Sequence, residues 1–410
     1  MPKKILIHSL IFSPDGVSTA YLYNDIALKF KDSGYEVVVL TTTPHYNLVK
    51  EQLVNQPLKW KIWGICKESD FQGIRVLHIP QKKFKSTVLR VLGFIYWHIL
   101  SFIIGLSIKN IEVILSPSPP LTIGVINLWL AKLKGCKAIY NVQEIYPDIL
   151  KKKEGIVVAL LRKMEHYVYN SSSAVTTIDQ VFYDTIVGRF NDKSKLHIIP
   201  NFVDTALYNP DKGASMTLDL GLFPKTTSLK LLYAGNIGFA QDWNPLISLA
   251  EKTKEDPIEY YVIGEGVMKP FIEEKIKALG LSNIHLLPYQ PRTSMPAIIA
   301  YSDIQFIFMN PEMDMQGFPS KVYTIMACAK PLLICSGVGT PIINFLKGCN
   351  CAKLITEADY EKKIDEMVEW LNSASNGHLQ SLGKNGLRVI EESYAKDVVT
   401  SKYVELVNSI

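Results

Sequence analysis

Three glycine-bearing stretches in the second half of the 410-residue chain have the composition of an anion site. They are YAGNIGFAQD (Tyr233 to Asp242), VIGEG (Val262 to Gly266) and QGFPSKVYTIMACAKPLLI (Gln316 to Ile334). Each follows an apolar run with the look of a strand. Glycine lets backbone approach a ligand closely or take a positive φ, and free amides at a helix start attract phosphate. One such turn alone serves structural ends in many parallel sheets; three at one sheet edge make a stronger case for a ligand. Gly235, Asn236 and Gly238, then Gly264 and Gly266, are the candidates in the first two turns. In the third, Lys321 stands at an expected helix start, where a cation is poorly placed against the helix dipole. It is either a surface lysine that tolerates this small cost or the neutralising partner of a diphosphate. Arg292, in YQPRTSMP, is a second candidate cation and equally an ordinary surface group.

The first half offers acid/base groups at expected strand ends. Glu144 lies in NVQEIYPD, Asp15 in SPDG at the first strand–helix turn, and His45 just after TTTP. Each has a plainer reading: an ion pair, a helix-start carboxylate, an exposed turn histidine. His98 and His166 fall in helical stretches, where packing or exposure accounts for them. The chain has no GxxxxGK[ST] phosphate loop, and its first turn, SPDGVSTAY, gives no dinucleotide fingerprint. The six cysteines form no CxxC pair and no zinc spacing, which indicates reduced thiols of a cytosolic protein and no metal centre.

The elements that hold these groups alternate. KKILIHSLIF, YEVVVLTTT, IRVLHIP, IEVILSPSPP, KAIYNVQEIYP, AVTTID and KLHIIPN read as strands of the first half, with helical stretches between them. A helix is expected from Thr19 to Asp32, ended by Gly34. The pattern starts again at LKLLYAGNIG and runs through IEYYVIGEG, a helix over Lys269 to Leu279, IHLLPYQ, DIQFIF and AKPLLICSG. Strands apolar throughout, with helices between them, predict parallel sheets covered on both faces. The expected class is therefore α/β: residues 1–205 as one Rossmann-like domain, 206–390 as a second, and a terminal helical stretch over 391–410 that could return to the first. Ligands of such sheets bind at the carboxyl ends of the strands. A length of 410 residues, 48% apolar composition and net charge of +5 fit two well-packed domains and tolerate an anionic partner or membrane surface. Basic residues are dispersed, so nucleic acid is not an expected partner.

One stretch stands apart. Val91 to Ile108, VLGFIYWHILSFIIGLSI, is uncharged and follows Lys82, Lys83, Lys85 and Arg90. It reads as a buried helix of the first domain or as a helix resting on an anionic membrane, and its length only grazes what spanning needs.

Taken in order, YAGNIG, VIGEG, LLPYQPRTSMPAIIAYSD and GFPSKVYTIMACAKPLL, together with NVQEIYPD and HIIPNFVD, resemble retaining glycosyltransferases of family 4, which have the GT-B fold. The likeness spans nearly the whole chain and is nearest to amino-deoxysugar (N-acetylfucosamine-type) transferases of O-antigen and capsule assembly. It implies two Rossmann-like domains facing a cleft, a UDP-sugar donor on the second, an acceptor on the first, and no obligatory metal or cofactor. On this resemblance the donor meets Gly16, Gly235, Asn236, Gly238, Gly264, Gly266, Gln290, Gly317, Pro319, Ser320, Lys321 and Val322. The acceptor meets Asp15, His45 and Glu144, and Lys321, Arg292 and Glu144 carry the chemistry. The implied donor is a UDP-N-acetyl-amino-deoxysugar and the implied acceptor a polyprenyl-diphosphate-linked sugar. The implied setting is cytoplasmic, peripheral to the inner face of the plasma membrane. The chain departs from the pattern at two places. Gln316 and Thr324 replace the family's paired glutamates, and Asn236 and Gln241 replace its usual basic pair. Two rivals remain: a UDP-N-acetylhexosamine 2-epimerase, which shares the two-domain plan, and a non-catalytic UDP-sugar-binding assembly protein.

Overall fold

The computed structural model describes residues 3–45, 50–61, 64–81, 86–150, 154–315 and 318–410. The chain divides into two compact units, Met1–Asn201 with Asp397–Ile410, and Phe202–Lys396. The first runs β1 (Lys4–His8), α1 (Ser18–Asp32), β2 (Glu36–Thr42), α2 (Lys50–Asn55), β3 (Lys59–Lys61), β4 (Cys66–Phe71), β5 (Ile74–Ile79), α3 (Thr87–Ser107), β6 (Ile111–Pro117), α4 (Leu121–Lys134), β7 (Lys137–Val142), α5 (Ile156–Ser171), β8 (Ala174–Thr177), α6 (Gln180–Ile186) and β9 (Leu196–Ile198). The second runs α7 (Pro210–Ser215), β10 (Leu229–Ala234), α8 (Asn244–Lys252), β11 (Ile258–Ile263), α9 (Lys269–Leu279), β12 (Ile284–Leu287), α10 (Met295–Tyr301), β13 (Ile304–Phe308), α11 (Lys321–Ala327), β14 (Leu332–Cys335), α12 (Pro341–Leu346), β15 (Ala352–Ile355), α13 (Tyr360–Ser373) and α14 (Asn376–Val389). Then α15 (Lys396–Ser409) returns the chain to the first unit.

The first sheet has the order β3-β4-β5-β2-β1-β6-β7-β8-β9 among the described residues, and β1, β2 and β5 to β9 are parallel. Its parallel strands are buried on both faces, as their unbroken apolar runs require. One face, with Leu6, Val38, Leu40 and Ile114, packs against Trp97 and Ile104 of α3, Leu128 and Leu130 of α4, and Val168 of α5. The wholly parallel sheet expected from the sequence is corrected at one edge, where β3–β4–β5 is an antiparallel meander. The reason is compositional: KWK is exposed and CKESDF is mostly polar and only partly buried, so neither carries the apolar signature of an internal strand. The second sheet, β12-β11-β10-β13-β14-β15, is parallel throughout. Gly34 takes φ +87° and donates to Lys31 O, ending α1.

The helix α3 is neither wholly buried nor wholly outside. Trp97, Ser101 and Ile104 lie in the core, while Val91, Leu92, Ile95, Ile99 and Ile103 are exposed on its outer edge. Lys82, Lys83 and Lys85 lie outside the described residues. The C-terminal α15 buries Val399 and Tyr403, and Tyr35 donates from its hydroxyl to Asn408 Oδ1 at 2.6 Å.

Behind the end of β7, Asp148 pairs with Arg162 and Arg189 at 2.5 Å each, and Glu165 pairs with the same two arginines. The Glu165 side chain is only 3% exposed. Burial holds its carboxyl above the usual range, against the pull of the two guanidiniums. Removing one cation leaves a buried carboxylate uncompensated. Arg189→Met is therefore expected to destabilise the protein by about 2–3 kcal/mol, allowing for the partial exposure of the arginine. Urea unfolding at neutral pH measures it, and a change below about half a kcal/mol refutes this role.

Candidate active site

The first two glycine turns lie at the carboxyl edge of the second sheet. After β10, Gly235 has φ +151°, and after β11, Gly264 has φ +142°, conformations open to glycine. A Cβ on Gly264 would sit 2.0 Å from the Gly235 carbonyl oxygen, and one on Gly266 would sit 2.1 Å from that of Ile237. Hydrogen bonds lock the contact: Gly235 N–H donates to Ile263 O, Ile237 N–H to Glu265 O and Met268 N–H to Ile237 O, each at 2.9 Å. The exit of β13 closes on the same turn. Asn310 donates from its backbone to Ala240 O (3.1 Å) and from Nδ2 to Phe239 O (2.8 Å). Gln241 is buried and bridges to Met309, so it serves this clamp.

The clamp leaves space for Lys321, the first residue of α11. Its ammonium lies 3.6 Å from the centroid of the Tyr233 ring. The same Nζ is 2.5 Å from where a Cβ of Gly235 would project. Tyr233 is held by donating to Asn236 O at 2.8 Å. No carboxylate lies within ion-pair distance of Lys321 among the described residues. The aromatic face offers part of what water would supply, and burial pushes the ammonium pKa down to about 7. The residue is half-buried, which corrects the reading of an ordinary surface lysine. The helix it begins ends at Ala327, so the cation and not a long helix dipole dominates the local field.

The other candidates fall around this point in different ways. Asn236 and Ser320 are exposed, Pro319 half-buried, and Val322 buried in the core. Gln290 is half-buried and donates to Pro288 O at 3.2 Å; Arg292 opens a short 3-10 turn after β12 and is half-buried. Gln316 and Gly317 lie outside the described residues. Asp314 was not foreseen. It is buried and accepts from the Gly337 N–H at 3.0 Å, so it ties the segment before α11 to the turn after β14.

In the first unit, Asp15, His45 and Glu144 stand at the carboxyl ends of β1, β2 and β7. Asp15 is buried, and its Oδ1 accepts from the His45 N–H at 2.9 Å, so the turn carrying Gly16 is strapped to the one carrying His45. His45 Nδ1 lies 2.8 Å from Thr43 O; donation to that carbonyl fixes the tautomer in the neutral ring. Glu144 is positioned through Ser118. The Ser118 Oγ accepts from the N–H groups of Gln143 (2.9 Å) and Glu144 (3.1 Å) and donates to Glu144 O at 3.0 Å. The Glu144 carboxyl is half-buried and has no cation partner among the described residues, and desolvation raises it above the usual carboxylate range. Asp148, four residues on, belongs to the arginine cluster. His98 is buried and His166 exposed, as packing and solvation require. Among the described residues no group of three His, Cys, Asp or Glu side chains could hold a metal ion. All six cysteines are free thiols.

A partly desolvated cation beside close-packed glycine turns suits a group that leaves as a phosphate anion. Residues 222–386 match the family model described as glycosyl transferases group 1. The putative colanic acid biosynthesis glycosyl transferase WcaI of Escherichia coli (strain K12) is 22% identical over 344 residues, covering 79% of this chain and 81% of its own. The probable glycosyltransferase WbjE of Pseudomonas aeruginosa is 21% identical over 310 residues, covering 73% and 75%. Among solved structures, Anabaena Alr3699/HepE in complex with UDP superposes with a TM-score of 0.73 at 13% identity, covering 99% of this chain and 100% of that one. WaaG, a glycosyltransferase involved in lipopolysaccharide biosynthesis, gives a TM-score of 0.64 at 12% identity, covering 98% and 99%. The fold is GT-B, and the chain is a glycosyltransferase. The stretch that matches the group 1 model lies in the second unit and carries the three turns.

The desolvated Lys321 makes stability depend on pH. Below about pH 7 the folded protein bears the full cost of a buried charge. As pH rises from there toward the ordinary lysine value, the folded state sheds the proton before the unfolded chain does and gains stability. Lys321→Met is thus expected to exceed the parent in stability by roughly 1–3 kcal/mol at about pH 6, with the margin shrinking by about pH 10. Chemical denaturation at both pH values checks this, and an equal margin at both rules it out.

Proposed function

We propose that the enzyme moves an N-acetylated, 6-deoxy hexosamine from its UDP derivative to a polyprenyl-diphosphate-linked sugar, with retention of configuration, in surface polysaccharide assembly. The observation that carries this reading is the Lys321 ammonium, desolvated beside Gly235 and lacking a carboxylate partner among the described residues. A diphosphate would supply that partner. The names of WcaI and WaaG, which refer to colanic acid and lipopolysaccharide biosynthesis, support the polysaccharide setting. The UDP of the HepE complex supports the nucleotide.

In the proposed step the anomeric C–O bond of the donor breaks and the electron pair leaves on the β-phosphate of UDP. Lys321, Arg292 and the backbone amides around Gly238 and Ser320 meet the growing charge. The acceptor hydroxyl attacks from the same face, and its proton passes toward solvent or to Glu144, which desolvation makes a stronger base than an ordinary carboxylate. Asp15 and His45 contact the acceptor. No metal or cofactor is required by this scheme. The exposed apolar edge of α3 supports a peripheral position on the cytoplasmic face of the plasma membrane. Its other edge is committed to the core, which favours lying on the bilayer over spanning it.

The test is UDP release from a panel of UDP-N-acetylhexosamines and their 6-deoxy forms, with and without a polyprenyl-diphosphate-sugar. Acceptor-dependent release, reduced about a hundredfold or more in Lys321→Ala, is expected. Epimerised donor without acceptor, or tight UDP-sugar binding without turnover, would sink the proposal. UDP affinity is also expected to fall by up to about tenfold per pH unit above pH 7, because binding restores the lysine proton. Calorimetry across that range checks the slope, which Lys321→Ala should flatten.

A further inference from the structure

Every carbonyl in the turn after β10 is taken. Asn236 O accepts from the Tyr233 hydroxyl (2.8 Å), Ile237 O from the Met268 N–H (2.9 Å) and Gly238 O from the Trp243 indole N–H (3.2 Å). Phe239 O accepts from Asn310 Nδ2 at 2.8 Å, and Ala240 O from the Asn310 N–H at 3.1 Å. The N–H groups of the same turn are in the opposite condition. Those of Gly238, Phe239 and Ala240 have no acceptor among the described residues. Gly238 is also buried, where an N–H without an acceptor is rare.

Peptide geometry links the two conditions. In a trans peptide the carbonyl of one residue and the N–H of the next point to opposite sides. Met268, Trp243 and Asn310 hold the carbonyls of Ile237, Gly238 and Phe239, and so turn the N–H groups of Gly238, Phe239 and Ala240 the other way. An unrestrained peptide can rotate and present its carbonyl instead, which repels an anion. Met268 acts through its backbone, but the other two restraints are side chains. Trp243, just before α8, is buried and packs its ring 5.0 Å from that of Tyr233 at an interplanar angle of 82°. Asn310 follows β13, and its Oδ1 accepts from the Glu312 N–H at 3.0 Å. That bond fixes Nδ2 as the end of the amide that meets Phe239 O. Both side chains lie on the carbonyl side of the turn.

We propose that Trp243 and Asn310 are positioning residues for the donor's diphosphate: by holding the carbonyls of Gly238 and Phe239, they keep the N–H groups of the turn available to a phosphate. This rests on the UDP-sugar donor proposed above and names what orients the peptides that meet it. Lys321 reaches the same turn, 2.5 Å from where a Gly235 Cβ would project. Oriented peptide dipoles and a cation thus serve one loop by separate means. Packing alone would be indifferent to the charge of a ligand, whereas carbonyl restraint acts on its phosphates.

Calorimetry of UDP and of inorganic pyrophosphate on the full-length protein, with uridine followed by ligand-observed NMR, separates phosphate recognition from general damage. Trp243→Phe keeps a ring against Tyr233 and removes the N–H donor. Asn310→Ala removes the Nδ2 donor and keeps the backbone bond to Ala240. Each is expected to weaken UDP and pyrophosphate about three- to tenfold, the range of one hydrogen bond, and to leave uridine within about twofold. In the Lys321→Ala background each loss is expected to recur in full, since peptides and cation act separately. The proposal is overturned for either residue whose variant binds UDP as the parent does. It is overturned for both if uridine weakens as much as UDP, which makes them packing residues, or if the losses vanish in Lys321→Ala, which routes them through the lysine. If Lys321→Ala alone leaves UDP affinity unchanged while the two variants lower it, the lysine's part in the proposed function fails and the positioning role stands. If the parent binds pyrophosphate but not UDP, and the variants weaken pyrophosphate, the UDP donor fails and the turn remains a phosphate site. A parent that binds neither overturns both.

Discussion

The carboxyl edge of the second sheet depends on a backbone packed directly against a backbone. Gly264 lies so close to the carbonyl of Gly235 that no side chain fits between them, and Gly266 repeats the contact with Ile237. Parallel strands usually diverge into independent loops at their carboxyl ends. Here the loops after β10 and β11 share hydrogen bonds, and the exit of β13 closes over the first of them. The result is a ledge of hydrogen-bonded peptide groups. Because Gly235 also lacks a Cβ, the Lys321 ammonium can come in over Tyr233 and stay there. The cost of keeping that charge from water is borne by the fold when the ledge is empty. A bound anion would relieve it. Preorganisation of this kind places the cation before the ligand arrives, so that little rearrangement is required as charge develops.

The first unit treats its carboxylates in two ways. Asp148 and Glu165 are paired with guanidiniums, which makes them struts beneath the end of β7. Glu144, from the same NVQEIYPD run, is held through its backbone by Ser118, and its carboxyl keeps no cation among the described residues. Charge satisfied by a neighbour stabilises the scaffold; charge left unsatisfied is available for chemistry. Asp15 falls between these cases, because its carboxylate is engaged by the His45 amide and joins the loops after β1 and β2.

How much of this could be read in advance follows from physical range. Internal strands were legible because burial on both faces demands continuous apolar sequence, and α9 was legible from Lys269 to Leu279 through its periodicity and its terminal Gly280. The β3–β4 edge was not legible, since solvated edge strands carry no such signature. The glycine turns were found by composition, but the reason for them, contact between two turns about thirty residues apart, is a tertiary fact. Lys321 was singled out from its helix-start position, whereas its loss of water depends on Tyr233 and Gly235, far away in sequence. Nothing in NVQEIYPD itself separates Asp148 from Glu144, four residues before it. Its separate fate was hidden because Arg162 and Arg189 reach it from other helices. The apolar stretch of α3 was visible at once, yet only packing could divide its residues between a core edge and an outer edge.

The path of the chain has a consequence for biosynthesis. The first unit takes its last helix, α15, from beyond the entire second unit, and α15 buries Val399 and Tyr403. On the ribosome, the second unit can therefore be complete while the first still waits for a buried element. Until α15 docks, the side of the first unit that receives Tyr403 remains uncovered, and Tyr35 lacks its bond to Asn408. The usual order, in which the amino-terminal domain of a nascent chain finishes folding first, is thus reversed in its final step.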